Sequence, residues 1–197
     1  MKGFTLIEML VSVALFSIAM VLALGSLLSL SSADRKAESL KAAINNVNFA
    51  LDSMSRDIRT GWNWGCNTTA GESACNSPNK GANEFSYTSA SFGHVIYKYD
   101  TSATDCGQSG TAGCVVRSVD NGSTWAPVTA PEIIITGFSA CSGTTPCMFY
   151  VKGADSGSAD NIQPEVVITI SGYVQVSATQ QTPIHMQTAV TQRLYDQ

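Results

Sequence analysis

Gly3-Phe4-Thr5-Leu6-Ile7-Glu8-Met9-Leu10 opens the long apolar run of this chain, and the reading of that stretch decides the rest. No charged side chain follows from Met9 to Ala33. As a helix, the apolar part from Met9 to Leu30 spans roughly 33 Å, enough to cross a bilayer core. Glu8 alone breaks the pattern, set among Phe4, Leu6, Ile7, Met9 and Leu10. A carboxylate at membrane depth costs about 2.5–3.5 kcal/mol on insertion scales, so it marks a functional site and calls for a partner.

Order, spacing and chain position in Gly3–Leu10 closely resemble the processing site of type IV prepilins and type II secretion pseudopilins. The resemblance implies a basic leader, Met1-Lys2-Gly3, removed on the cytoplasmic face by a prepilin peptidase that also methylates the new N-terminus. The cut then lies between Gly3 and Phe4. Glu8 matches the acidic residue of that family that pairs with a subunit's N-terminal amine during filament assembly. Electrostatics favours the same arrangement, because an ammonium group and a carboxylate that are each costly in lipid neutralise one another across neighbouring subunits. Two other readings use the same residues. One is a secretory signal peptide with Ala23-Leu24-Gly25 as cleavage site, and the other is a plain membrane anchor. Glu8 inside the apolar run, and the length of that run, speak against the signal peptide.

The 197 residues leave room for one ordinary domain beyond the apolar segment. Net charge is −4, and loss of Lys2 with a leader takes it one unit lower, so no general attraction to nucleic acid or anionic lipid is expected. Basic residues fall on both sides of the run (Lys2 before, Arg35, Lys36 and Lys41 after), and the positive-inside count therefore does not fix an orientation. Cysteine usage points outward. Cys66, Cys75, Cys106, Cys114, Cys141 and Cys147 are even in number and lie in Gly-, Ser-, Thr- and Asn-rich stretches, as disulfides of an oxidising compartment do. Their spacing suggests the sequential pairs Cys66–Cys75, Cys106–Cys114 and Cys141–Cys147, although the count alone leaves the connectivity open. A zinc site is disfavoured, because no C-x-x-C occurs and His94 and His185 stand far from any cysteine pair.

Beyond the apolar run, Ala37, Leu40, Ile44, Val47, Leu51, Met54 and Ile58 recur every three or four residues, while Lys41, Asn45, Asn48, Asp52, Ser55, Arg56 and Arg59 take the other face. This is the stripe of an amphipathic helix. One helix of about 55 residues is expected, from Phe4 to near Thr60, ended by Gly61 and a turn at Trp62-Asn63-Trp64-Gly65. Strands are expected near 84–89, 94–100, 114–119, 124–128, 132–138, 147–152, 165–176 and 185–194, with 65–82, Pro164, Pro183 and 153–161 as loops. The order, a long helix and then antiparallel strands, gives an α+β fold with a β-rich head. The expected division is a leader at 1–3, a membrane and assembly helix at 4–33, its amphipathic continuation at 34–61, and an extracytoplasmic head at 62–197.

Ala50–Arg59, the run His94–Tyr99 and Val115-Val116-Arg117 resemble minor pseudopilins of the J type. That likeness implies a low-copy subunit that starts or caps a filament. Its partners would be the peptidase and methylase, other pilins, the inner-membrane assembly platform and membrane lipid. It would wait in the cytoplasmic membrane with its N-terminus inside and head outside, then join a pilus or pseudopilus. A ligand-binding tip adhesin or DNA-uptake pilin, and an exported enzyme with a signal peptide, are the competing functions. Ser118-Val119-Asp120-Asn121-Gly122-Ser123-Thr124-Trp125 fits the S-x-D-x-G-x-T-W box of sialidases and other propellers, which is a hairpin signature and not a catalytic one. Asp155 and Asp160 form a weak calcium candidate without the spacing of an EF-hand loop. With no G-x-S-x-G, H-E-x-x-H or phosphate loop, neither enzymatic activity nor a cofactor is expected.

Overall fold

A single helix, α1 (Leu6–Thr60), carries the first third of the chain. The computed structural model describes residues 3–66, 80–107, 113–137, 140–142, 145–153, 163–177 and 180–193. Two compact units share α1, Met1–Lys41 and Ala42–Gln197.

In the first unit α1 has the side-chain chemistry of a membrane segment. Its most apolar window has a mean hydropathy of 2.4 and none of it is buried. Large apolar side chains from Phe4 to Leu30 are exposed all round the helix. Three hydroxyls within this stretch return to the backbone: Ser12 Oγ donates to Glu8 O at 2.7 Å, Ser17 Oγ to Val13 O at 2.8 Å, and Ser26 Oγ to Ala23 O at 2.8 Å. Such bonds satisfy polar atoms internally, as a lipid environment requires.

In the second unit the same helix becomes one-sided. Ala43, Val47, Ala50, Leu51, Met54 and Ile58 are buried at helical spacing, so the expected stripe holds from Val47 onward, while Ala37 is exposed and Leu40 and Ile44 only partly covered. Around this half come β1 (Trp62–Gly65), β2 (Lys80–Ala82), β3 (Glu84–Ser89), β4 (Gly93–Asp100), a one-turn helix α2 (Ala103–Cys106), β5 (Cys114–Ser118) and β6 (Ala126–Pro127). The chain continues through β7 (Ile133–Gly137), β8 (Ala140–Ser142), β9 (Thr145–Pro146), β10 (Phe149–Lys152), β11 (Glu165–Ser177) and β12 (Gln180–Thr191).

Two antiparallel sheets result, one ordered β1-β3-β4-β5-β6 and the other β12-β11-β10-β2, with β7 also on β11 and a small β8-β9 pair apart. In the first sheet, the register Phe85↔Tyr97 and Tyr97↔Arg117 puts these side chains on the face toward α1. The opposite face carries Ile96, Val116 and Ser118, and both faces are covered. Rings join the layers: Phe85 lies 5.5 Å from Trp64 edge-on and 5.5 Å from Phe149 of the second sheet. A bridge between Gly113 and Ile135 ties β5 to β7. This is the α+β arrangement of a long helix packed on antiparallel sheet.

Three local expectations are corrected. Trp62–Gly65 is an edge strand and not a turn; Asn63, at φ 57°, takes up the irregularity through a shift of register against β3. Pro183 lies inside β12, opposite Tyr173, and not in a loop. A proline is tolerated there because β12 is an edge strand and needs no N–H at that position. The strand expected at 124–128 shrinks to Ala126–Pro127, since residues 119–125 are consumed by the turn before it. Most of the 65–82 and 153–161 loops, including Cys75, Asp155 and Asp160, lies outside the described residues.

Candidate functional site

The segment before α1, residues 3–5, has no regular secondary structure and is exposed, and Thr5 O accepts the first helical bonds from Glu8 N–H at 3.2 Å and Met9 N–H at 3.3 Å. Phe4 is 80% exposed. A Cβ built on Gly3 meets nothing within 4 Å, so the chain's own packing does not demand glycine there. Glu8 sits in the first turn of α1, where the helix dipole favours a negative charge. It makes no ion pair with any described residue, and its apolar neighbours Leu6, Ile7, Met9 and Leu10 are all exposed. An accessible glycine, an aromatic residue after it and a carboxylate one turn into an apolar helix are thereby presented together at the start of α1.

The amphipathic half of α1 is fastened to the head by a polar cluster that periodicity alone did not reveal. Asp57 Oδ2 accepts from Tyr97 O–H at 3.0 Å and from Arg117 Nη2 at 3.1 Å. The Arg117 guanidinium also stacks 5.2 Å from the Phe92 ring. Burial pushes the Tyr97 phenol well above its ordinary range, and the adjacent Tyr87 and Asp57 add to the effect, so it stays a neutral donor. Asp57→Ala leaves both donors without their acceptor. With this pair about a third exposed, the loss is expected near 2 kcal/mol, below that of a fully buried pair. That is a fall in Tm of about 4–8 °C in a thermal melt.

At the end of α1 the last carbonyls are closed by Gln192 and Arg193, far along the chain, and by Trp64 nearby. Arg193 N–H donates to Arg59 O at 3.0 Å, and Gln192 Nε2 and Trp64 Nε1 donate to Gly61 O at 3.2 and 3.3 Å. These bonds satisfy acceptors that every helix C-terminus leaves open. Gly61 is required by contact, because a Cβ there would overlap the Tyr87 ring.

The Ser118–Trp125 box is the turn of the β5–β6 hairpin. Asn121 and Gly122 take positive φ of 61° and 84°. Asp120 Oδ1 accepts from Ser118 Oγ at 2.7 Å and Thr124 N–H at 2.9 Å, and Asp120 Oδ2 from Thr124 Oγ1 at 2.6 Å. His94, in β4, reaches this turn with Nδ1 2.5 Å from Asn121 Oδ1. The Thr124 hydroxyl and N–H, followed by Ser118, hold the Asp120 carboxyl down to about 2. Its share of turn stability is complete above the unfolded value near 3.9 and is lost as pH falls through about 2. A carboxyl resonance of Asp120 followed by NMR is expected to titrate there, and to move upward in Thr124→Val.

Trp125 is half-buried beneath the turn, with Lys98 Nζ 3.9 Å over its ring, while Trp64 is buried and Trp62 is 43% exposed. Lys98 also bonds Asp100 Oδ2 at 2.6 Å. Burial raises the Asp100 carboxyl, but the hydrogen bonds from Lys98 and the backbone N–H of Ser102 outweigh it and leave it below the ordinary range. Cys106 and Cys114 form a disulfide that pins α2 to β5. Cys66 and Cys147 are also disulfide-bonded, and the side chains of Cys75 and Cys141 lie outside the described residues. His185, in β12, makes a 3.1 Å contact with Ser171 Oγ. No group of three or more His, Cys, Asp or Glu that could hold a metal occurs among the described residues.

The model of the family described as Prokaryotic N-terminal methylation motif matches residues 1–30. No curated protein and no solved structure matches the chain. The chain thus carries an N-terminal prepilin-type cleavage and methylation motif on a long apolar helix, consistent with the broad prepilin and pseudopilin family and typical of structural subunits rather than enzymes.

Proposed function

We propose that this protein is a minor pilin or pseudopilin that helps initiate or cap a type IV pilus or a type II secretion pseudopilus. The observation that carries the reading is one continuous helix: its front bears the processing motif and a fully exposed apolar surface, and its rear is buried in a β-rich head. Gly3 and Phe4 flank the cut, Phe4 becomes the methylated terminus, and Glu8 receives the N-terminal amine of a neighbouring subunit. Residues 1–3 are the leader, 4–33 the membrane and assembly helix, 34–61 its amphipathic continuation, and 62–197 the head.

Before assembly the subunit spans the cytoplasmic membrane with its N-terminus inside. The cysteine count supports a head in an oxidising compartment, with Cys66–Cys75 and Cys141–Cys147 as the remaining pairs. Its partners are the prepilin peptidase and methylase, other pilins, the assembly platform and lipid. The J-type likeness of Ala50–Arg59 supports a low-copy position at the filament tip.

Terminal peptide mapping of the mature chain tests this. A methylated Phe4 terminus is expected, and an intact Met1 or a start far downstream overturns the reading. Glu8→Ala is expected to be processed normally yet to enter filaments poorly. An unpaired buried ammonium costs about 3 kcal/mol, or roughly a hundredfold in incorporation by immunoblot of sheared filaments. Incorporation equal to the parent removes Glu8 from assembly.

A further inference from the structure

Strand β12 ends its sheet, and its outer side has no partner strand among the described residues. Two hydrogen bonds fix which backbone groups face outward. Gln192 N–H points inward, to Pro164 O at 3.0 Å, whereas Arg193 N–H points outward, to Arg59 O at 3.0 Å. Direction alternates along a strand, so the N–H and C=O groups of His185, Gln187, Ala189 and Thr191 also point outward. Pro183 has the same parity, the one position type where a missing N–H breaks no bond to β11. The outward groups open into a groove of about 550 Å³ whose other wall is the polar side of α1, with Asn48, Ser55, Asp52 and Arg59.

Proteins ordinarily guard such an edge with charge, yet no charged side chain occurs from Gln180 to Gln192. We propose that this edge is a docking site for one extended segment of another polypeptide, added to the sheet as a strand beside β12. Pro183 closes one end and the Arg193 bond to α1 closes the other. Between them about eight residues fit, some 26 Å of strand. Asp52 is already paired with Arg56 at 2.9 Å, which leaves Arg59 to meet an acidic side chain on the incoming strand. The occupant is therefore β-prone and uncharged apart from one Asp or Glu at the Arg59 end. A second copy paired β12 to β12 offers no such acid, so the charge pattern favours a different chain. Main-chain bonds would supply affinity and the groove specificity.

The test is to pan the full chain in detergent micelles against a phage-displayed library of random decapeptides, with the Gln187→Pro chain as counter-target. Gln187 N–H faces away from β11, so the proline removes an edge donor and keeps the β11–β12 ladder; an unchanged melt verifies this. Ala189→Lys, a charge on an exposed edge position, serves if that melt falls. Selected peptides are expected to carry β-branched residues and one acid. They should bind about tenfold more weakly to either edge variant and to Arg59→Ala. Amide exchange at His185, Gln187 and Ala189 should slow about tenfold on binding. Failure to select any peptide that distinguishes Gln187→Pro from the parent overturns the proposal. Concentration-dependent dimerisation abolished by Gln187→Pro overturns it too, by assigning the edge to a second copy.

Discussion

Gly3→Ala is expected to leave the chain uncut, three residues longer than the processed parent on a high-resolution gel or by intact mass. The argument rests on what Gly3 does not touch. No atom lies within 4 Å of a Cβ at that position, so alanine disturbs neither α1 nor the head, and any defect reports on the peptidase. A methyl group forced into a closely fitted active site costs about 3 kcal/mol, a hundredfold or more in rate. Helix content and the melting curve of the uncut chain should match those of the parent before processing. Normal trimming of Gly3→Ala would refute the assignment of the cut to the bond after Gly3.

Gly172→Val is expected to destabilise the head strongly, for the opposite reason. Gly172 is buried in β11 where β7 pairs with it at a shift of register, and a Cβ there would overlap the carbonyl oxygen of Ile134 and crowd the Ile135 backbone. Backbone cannot swing aside as a side chain can, so the cost is about 3 kcal/mol or more. That is a fall in Tm of at least about 6–12 °C. Gly25→Ala supplies the contrast. Its Cβ meets nothing, and alanine should make the helix more stable by about 1 kcal/mol. Equal melts for Gly172→Val and the parent would contradict the β7–β11 register.

Where side chains alternate or recur by position, sequence located the structure. The buried positions Val47, Leu51, Met54 and Ile58 lie on the stripe read from periodicity, and β3, β4, β5 and β11 fall near their expected bounds. Glu8 and Gly3 were legible because polar and small residues stand out in an apolar run. Asp57 was not, since it sits among charged residues on α1 and acquires its role only from Tyr97 and Arg117, far along the chain. Gly172 looked like any glycine in a strand until β7 was placed against it. Pro183 reads as a loop residue because its tolerance depends on β12 having no outer neighbour among the described residues, a property of sheet order that local composition does not encode.

The closure of α1 by Gln192 and Arg193 has a temporal consequence. The helix end at Gly61 and the groups that seal it are 131 positions apart, so the head cannot complete its framework until nearly all of the polypeptide has left the ribosome. Long-range closure of this kind is slow. The apolar front segment is therefore complete and exposed well before the head has a fixed shape, so the two parts of one helix mature at different times.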